Sequence, residues 1–555
     1  MKKRLFIFLI LISTAVSIQA QVYNWAYKIA GTGWTDVKST YLANDNSYLV
    51  TGMFTFTTDF GGTSVTSEAY QDAFVAKYSQ NGTLQWVKTM GGNEQDWGYD
   101  VCTDNNDNVY VIGYFQSSAL HFTPTDSLVK SALSSRNVFT AKYSSTGVFQ
   151  WARLGSAGNT AGYLNGNSIT CDAQNNVIIS GSYNKQIEFD GTQLPNTNAT
   201  NIYLVKYTSN GAVVWAKAGV SGSICWLNDL VTDANNNIYC TGKISTAITF
   251  GNTTIQNHMG DDMVIGKFDA SGNLIWMTVE GKPISASTTS NNFDCGNSIK
   301  LDGMGNVFVG GSLLDTTYYD MNLNMLIVKQ FAYIAKYNNS GVVQWQKSFG
   351  NHEKDVINAI DIDANNDVYC IGNYSSNFSV GAITLPVGIS TQCFVAKFSN
   401  SNGNELFAYK HGNGNSEVEG YGLSINQATG NVYTAGHIKG NTTFGANTLT
   451  QGGTVDVYLV LLNNSVVQGI HDIHSQKNVI VYPNPASDYL QIKIDDNHKS
   501  LQNARYSIYN LNGQKLAENT LLTDRILDIK KLPVGEYILE IKMDSETVRT
   551  PFLKK

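Results

Sequence analysis

The side chains best placed to do chemistry in this chain are tryptophans and aspartates set within two or three residues of each other. They are Trp34 with Asp36, Asp96 with Trp97, and Trp226 with Asp229, with Asp294 and Asp355 at related places further on. An indole beside a carboxylate suits a sugar or a basic peptide, because the ring offers an apolar face and the carboxylate accepts hydrogen bonds. Trp34, Asp36, Asp96, Trp97, Trp226 and Asp229 are therefore the candidate ligand-binding set. The competing reading has them packing loops and bonding backbone. Catalytic patterns are thinner. There is no Gly-x-Ser-x-Gly elbow. His352-Glu353 begins like a zinc-protease helix, but Val356 stands where the second histidine is required. The eight histidines are scattered, and no Cys-x-x-Cys pair exists. No catalytic residue and no metal ligand is assigned. Asp361-x-Asp363-x-Asn365-x-Asp367 has the first half of a calcium-loop spacing, without the glycine and glutamate that complete one. A hairpin turn closed by its own side chains is the simpler account, so no cofactor is assigned and calcium at this turn stays the alternative.

The elements that must position these residues repeat. An aromatic-led strand, a glycine, an Asp/Asn turn, a short apolar strand, a spacer and an apolar strand ending in lysine recur along the chain. The markers are Trp25, Trp86, Trp151, Trp215, Trp276, Trp345 and a degenerate Phe407, spaced 61 to 69 residues apart. A fixed period of this length means one supersecondary block stacked on its neighbours. Residues 98–104, 109–115, 138–143 and 148–153 read as four strands of one block, separated by a polar Asn/Asp turn, a variable loop and a Ser-x-x-Gly turn. Val-Tyr-Val-Ile and Phe-Val-Ala-Lys segments are apolar on both faces, as sheets sandwiched between neighbours would be. The Trp series then reads as packing between blocks. The last repeat ends at Asp456–Leu462 without a Trp strand, while a spare one, Asn24–Lys28, stands near the start. The expectation is that Trp25 pairs beside 457–462, giving an all-β fold of seven four-stranded blades closed by the N-terminal strand.

The unit resembles the bacterial seven-bladed β-propeller repeat. It appears as Asp233-Ala-Asn-Asn-Asn-Ile-Tyr-Cys-Thr-Gly242 and Asp363-Ala-Asn-Asn-Asp-Val-Tyr-Cys-Ile-Gly372. The resemblance covers about residues 22–463 and implies the fold, not an activity. In such a ring the glycine-to-Asp strand is innermost. The variable connections, with the inserts 116–137 and 314–330 and the candidate Trp/Asp set, share one face.

The two ends of the chain differ from this body. Residues 1–20 read as a secretory signal: Lys2, Lys3 and Arg4, an apolar run from Leu5 to Val16, and Ile18 and Ala20 before the cut. No later stretch is apolar enough to span a membrane. The domain plan is a signal at 1–20, a propeller at 21–463, a linker at 464–477 and a small β-sandwich at 478–555. The tail carries Tyr482-Pro-Asn-Pro485, an Asn512-Gly513 hairpin, Leu532-Pro-Val-Gly-Glu-Tyr537 and a basic end. These segments, in order, resemble the C-terminal sorting domain of type IX secretion. That resemblance implies the type IX translocon as partner and a secreted or outer-membrane surface location, reached through the periplasm.

Charged residues are 15% of the chain and the formal net charge is −7, with no basic stripe for phosphates, which argues against nucleic acid. Seven cysteines leave at least one unpaired. Cys102 and Cys171 are read as one repeat position, which favours buried free thiols, and a Cys225–Cys295 bridge is the alternative. The functional expectation is an exported, surface-displayed or secreted scaffold that binds a protein or glycan through its variable-loop face. The alternative is a polysaccharide-active hydrolase or lyase with carboxylates at the channel mouth, which would need two of them roughly 5–9 Å apart.

Overall fold

The computed structural model describes residues 23–462 and 479–555, apart from short stretches at 132–133, 158–161, 259, 282–293, 321–324, 351–354, 376, 387, 389, 414–415, 483–484, 495–504, 511–514, 521–525, 534 and 543–546. The signal at 1–20 and the linker at 464–477 lie outside the described residues. The described residues are all-β and separate into two compact units, Met1–Asn464 and Ser465–Lys555. No helix among them is long and apolar enough to cross a membrane.

The first unit is built from antiparallel four-stranded modules. One runs through Asp96–Thr103, Val109–Phe115, Asn137–Tyr143 and Phe149–Ser156, in that spatial order. The same meander recurs from the inner strands Thr35–Leu42, Leu164–Cys171, Cys225–Thr232, Cys295–Leu301 and Val356–Ile362. In the module that starts at Glu417–Ile425, the outer strand comes from the other end of the chain. Tyr23–Gly31 pairs antiparallel with Asp456–Leu462, with Trp25 opposite Leu461 and Lys28 opposite Tyr458. Inner strands of consecutive modules pack on one another, and Thr35–Leu42 touches both Asp96–Thr103 and Glu417–Ile425. Of the insert at 314–330, residues 314–320 pair with 325–330 and so extend the strands Val307–Asp320 and Met325–Tyr337.

The repeated Trp has a bond as well as a ring to offer. Five outer-strand indoles donate their N–H to a carbonyl in the turn between the third and fourth strands of the next module, whereas the Trp25 indole N–H is buried without such a bond. Trp86 reaches Ser145 at 3.1 Å, Trp151 Ser209 at 3.1 Å, Trp215 Ala270 at 3.2 Å, Trp276 Asn339 at 3.0 Å and Trp345 Asn400 at 2.9 Å. The glycine of that turn has positive φ, and in most modules its face lies against the same ring. A methyl group added at Gly341, φ +78°, would sit 2.8 Å from the Trp276 ring. Phe407 is the degenerate marker for a physical reason: the module after it has no such turn, because its last two strands come from opposite chain ends. The lysine that closes the third strand in every module but the last is likewise accounted for. In four modules it is buried against the Asp that opens its own module's Asx turn, as in Lys206–Asp172 at 2.7 Å and Lys397–Asp363 at 2.8 Å, while Lys77 meets Asp45 and Lys267 meets Asn339 of the next module. Those turns close as expected: Asp172 Oδ1 accepts the Gln174 and Asn176 amides while Asn175 adopts φ 62°.

The cysteine register departs from the sequence reading. Cys102 lies two residues before Asp104 and Cys171 one before Asp172, so they are not one repeat position. All seven cysteines are free, Cys225 and Cys295 included, and all except Cys171 are buried.

The second unit packs Val479–Tyr482, Tyr489–Ile494 and Ile526–Asp528 as one sheet, and Lys515–Thr520, Arg505–Asn510, Gly535–Lys542 and Thr547–Lys554 as another. Leu490, Ile492, Ile508, Leu527, Leu539, Ile541 and Phe552 form the core between them.

The Trp–Gly contact is testable. Gly191→Ala, at φ +80° with open space around it, pays only backbone strain of roughly 1–2 kcal/mol. Gly341→Ala adds the clash with Trp276, and urea denaturation should show it about 1–3 kcal/mol less stable than the Gly191→Ala protein. Equal midpoints would remove the packing role assigned to this contact.

Candidate functional site

The inner strands share a β-bulge, and the bulged residue repeats. Register shifts fall at Lys38, Tyr99, Asn167, Asn228, Asn297, Asn358 and Tyr421. A bulge leaves one residue unpaired and re-aims its side chain. The four asparagines use that freedom identically, each donating its amide to a carbonyl on the next inner strand. Asn167 reaches Leu227 at 3.0 Å, Asn228 Gly296 at 3.0 Å, Asn297 Ile357 at 2.9 Å and Asn358 Gly420 at 2.7 Å. In three neighbouring modules the asparagine is replaced by Tyr421, Lys38 and Tyr99. There the crosslink gives way to a cluster of aromatic and charged groups.

Lys38 Nζ stands 4.9 Å over the Trp97 ring, 5.8 Å from the Tyr421 ring and 3.2 Å from an Asp36 oxygen. Trp97 stacks on Tyr114 at 6.4 Å, meets Trp34 edge-on at 6.0 Å and donates its indole N–H to Gln71 at 2.9 Å. Arg136 covers Tyr114 at 4.4 Å. Trp34 is 37% exposed, and Phe56, beside it, 62%. Phe56 occupies the left-handed region at φ 57°, so the hairpin holds an exposed ring in a conformation that costs backbone energy.

The buried centre of the cluster is His437. Its Nε2 lies 2.7 Å from Asp36 Oδ1 and 3.1 Å from the Val37 amide, and its Nδ1 lies 3.7 Å from Glu419. Nε2 accepts the Val37 amide hydrogen in this structure, while the two flanking carboxylates favour a charged ring. Burial opposes that charge, but Asp36 and Glu419 outweigh it and raise the histidine above its ordinary value. Burial would likewise raise Asp36 and Glu419, and the imidazolium lowers both. Tyr421 donates to Glu419 at 3.0 Å.

The sequence candidates divide. Trp34, Asp36 and Trp97 belong to this cluster. Asp96 lies next to it but is wholly buried, accepting Ser117 Oγ at 2.6 Å and the Gln116 and Ser117 amides; burial pushes its carboxyl up to about 7. Trp226 stands in another module, under Lys243 at 4.3 Å. Asp229 is part of a belt that ties inner strands together. It accepts the Leu230 and Ile299 amides at 2.8 Å and Ser298 Oγ at 3.1 Å. Asp100 does the same with the Val101 and Ile169 amides, Ser39 and Ser168, and Asp361 with the Ile362 and Ile425 amides. Burial raises all three carboxyls, Asp100 to about 6. Burial would lower the ammonium of Lys300, but Asp361, Asp229 and Asp100 raise it. Asp294 and Asp355 are buried. At the 361–367 turn, Lys397 Nζ lies 2.8 Å from Asp363 and 3.1 Å from Asp367. Sequence reasoning missed Lys38, Tyr99, Tyr421, His437 and Glu419. Aligning the inner strands on their Asp turns exposes the first three as breaks in an asparagine column. The contact of Asp36 with His437, across the whole repeat array, has no sequence signal.

Comparison with known proteins places the two units differently. Residues 480–555 match the secretion system C-terminal sorting domain family. The protein is therefore directed to secretion or the outer-membrane surface. A stretch of 370 residues is 26% identical to an uncharacterised WD repeat-containing protein of Acanthamoeba polyphaga mimivirus, covering 55% of this chain and 26% of that protein. The chain thus spans about a quarter of the length of that curated relative. Among solved structures, the extracellular domain of a B. thetaiotaomicron hybrid two component system aligns over 93% of this chain and 72% of its own at 10% identity, with a TM-score of 0.20. The plexin A4 extracellular region aligns over 94% and 66% at 8% identity, with a TM-score of 0.34. Superpositions this loose carry no inference about function.

The Asp36–His437 pair has a defined pH window. The raised histidine contributes stability that is whole below about 6.5 and is lost as pH rises through its folded value. The lowered aspartate contributes stability present above about 3.9 and lost as pH falls through its folded value. Asp36→Asn should therefore cost most near pH 5, on the order of 3 kcal/mol, and less once pH has risen through the folded value of His437. Denaturation midpoints of both proteins across pH check this; a cost independent of pH would place the histidine in its neutral form.

Proposed function

We propose that the repeat body is a seven-bladed propeller closed by the Tyr23–Gly31 strand, and that it is an exported scaffold binding a glycan or protein on its variable-loop face. The pairing of Trp25 with Leu461 supports the closure, as does the contact of Thr35–Leu42 with both neighbouring inner strands. One observation carries the location of the binding site: the asparagine crosslinks stop where Lys38, Tyr99 and Tyr421 stand, beside the exposed Trp34 and Phe56. A scaffold under packing constraint alone has no reason to break its own crosslink in three adjacent modules. The rings give a stacking platform, and Lys38 and Arg136 lie against ring faces where they can meet polar groups of a ligand. The site residues are accordingly Trp34, Trp97 and Lys38, with Asp36, His437 and Glu419 holding Lys38 and Tyr421 in place.

This reading favours binding over hydrolysis of polysaccharide. Asp36 is committed to His437 and Lys38, Asp96 to Ser117 and two amides, and Asp229 to inner-strand amides. Carboxylates so engaged have few free lone pairs for acid–base work.

Two outcomes are expected. On glycan and surface-protein arrays probed with the full chain, Trp34→Ala and Trp97→Ala should each weaken the leading hit at least about tenfold, as loss of one anchoring ring does. Trp226→Ala should leave it unchanged. Loss of binding in the Trp226→Ala protein, with the other two silent, would move the site elsewhere. Truncation after residue 463 should retain the protein in the periplasm. Its appearance at the cell surface would show that export does not depend on the tail.

A further inference from the structure

Cys102 and Cys171 end up as neighbours although 69 residues separate them, and their sulfurs lie 3.5 Å apart. They sit near the ends of the inner strands Asp96–Thr103 and Leu164–Cys171, which pack on each other in consecutive modules. Three of the other thiols meet partners of a different kind. Cys225 donates to the Thr200 carbonyl at 3.0 Å, Cys295 faces the Asn228 amide at 3.1 Å, and Cys393 lies 3.6 Å from the Tyr458 hydroxyl. Cys102 has only Cys171 as a polar partner among the described contacts, and it is buried, whereas Cys171 is half-buried. The sorting tail sends this chain out of the reducing cytosol, into compartments where paired thiols oxidise.

We propose that Cys102 and Cys171 form a disulfide in the exported protein, a covalent tie between two inner strands, made by thiol–disulfide exchange with a dithiol oxidase or oxidised glutathione. A bonded pair stands about 2.05 Å apart, so the sulfurs must close by roughly 1.5 Å, a shift within reach of side-chain rotation. Cys171, the more accessible, gives its proton to solvent and attacks one sulfur of the oxidant's disulfide. That disulfide breaks and its first thiolate leaves. Cys102, deprotonated in turn, attacks Cys171 Sγ and expels the second oxidant thiolate. Two cysteine thiols are oxidised and one oxidant disulfide is reduced to two thiols, which take up the two protons. The loop so closed is long, and cross-links over long loops constrain the unfolded chain most.

The test counts thiols in the full chain, purified without reductant, equilibrated with oxidised glutathione and then denatured. Five of seven should react, 7 − 2 = 5, and rise to seven after dithiothreitol. Peptide mapping should find the segments around Cys102 and Cys171 joined, with the protein lighter by two hydrogens. Reduction should lower the denaturation midpoint of the wild type, and leave a Cys102→Ser/Cys171→Ser protein unmoved. Seven reactive thiols after oxidation, a glutathione adduct in place of the linked peptide, or a link between any other pair would each overturn the proposal. The count and map on the wild type decide the matter even where the double variant folds poorly.

Discussion

The repeat body rests on one constraint: its middle strands have no face for water. Val109–Phe115, Asn137–Tyr143, Val368–Tyr374 and Gln392–Phe398 are buried at every position. A sheet apolar on both sides must be covered on both sides, so each module is completed by its neighbours and none is stable by itself. The pairing of Tyr23–Gly31 with Asp456–Leu462 answers the same demand where the chain ends would otherwise leave an open edge.

Polar groups then decide how the modules are joined. Indole N–H to turn carbonyl, bulged asparagine to inner-strand carbonyl, and aspartate to inner-strand amide each use one side chain to satisfy backbone in the next module. Where such a bond is shielded from water, it answers a donor or acceptor that would otherwise cost about 1–3 kcal/mol. These devices also explain residue types that propensity does not. The third-strand lysine is there for the Asx-turn aspartate in four modules, and the turn glycine lies against the preceding tryptophan.

Function is best sought where this economy is broken. The bulge geometry is the same in every module, so replacing asparagine by lysine or tyrosine changes only what is aimed from it. Three replacements in adjacent modules turn a crosslink into an aromatic cluster around Lys38. Asp36, Glu419 and His437 lie beneath it, where the carboxylates raise the histidine and the histidine lowers both carboxyls against the pull of burial. The belt of Asp100, Asp229 and Asp361 with Lys300 shows the other use of buried charge, where carboxylates tie strands together and are raised by burial.

Residue order alone determined the period, the strand and turn positions within each module, the displaced outer strand and the sorting tail. All of these are local patterns, or patterns that recur at fixed spacing, and local sterics and hydrophobic alternation write them directly into the chain. The Trp/Asp candidates were legible as residues but not as a group. Trp34, Asp36 and Trp97 meet, while Trp226 and Asp229 serve other modules. The pairing of Asp36 with His437, the stacking of Lys38 on Trp97 and the approach of Cys102 to Cys171 were decided by tertiary structure alone. They depend on which inner strands become neighbours and on how a bulge rotates one side chain, and neither is set by residues adjacent in sequence.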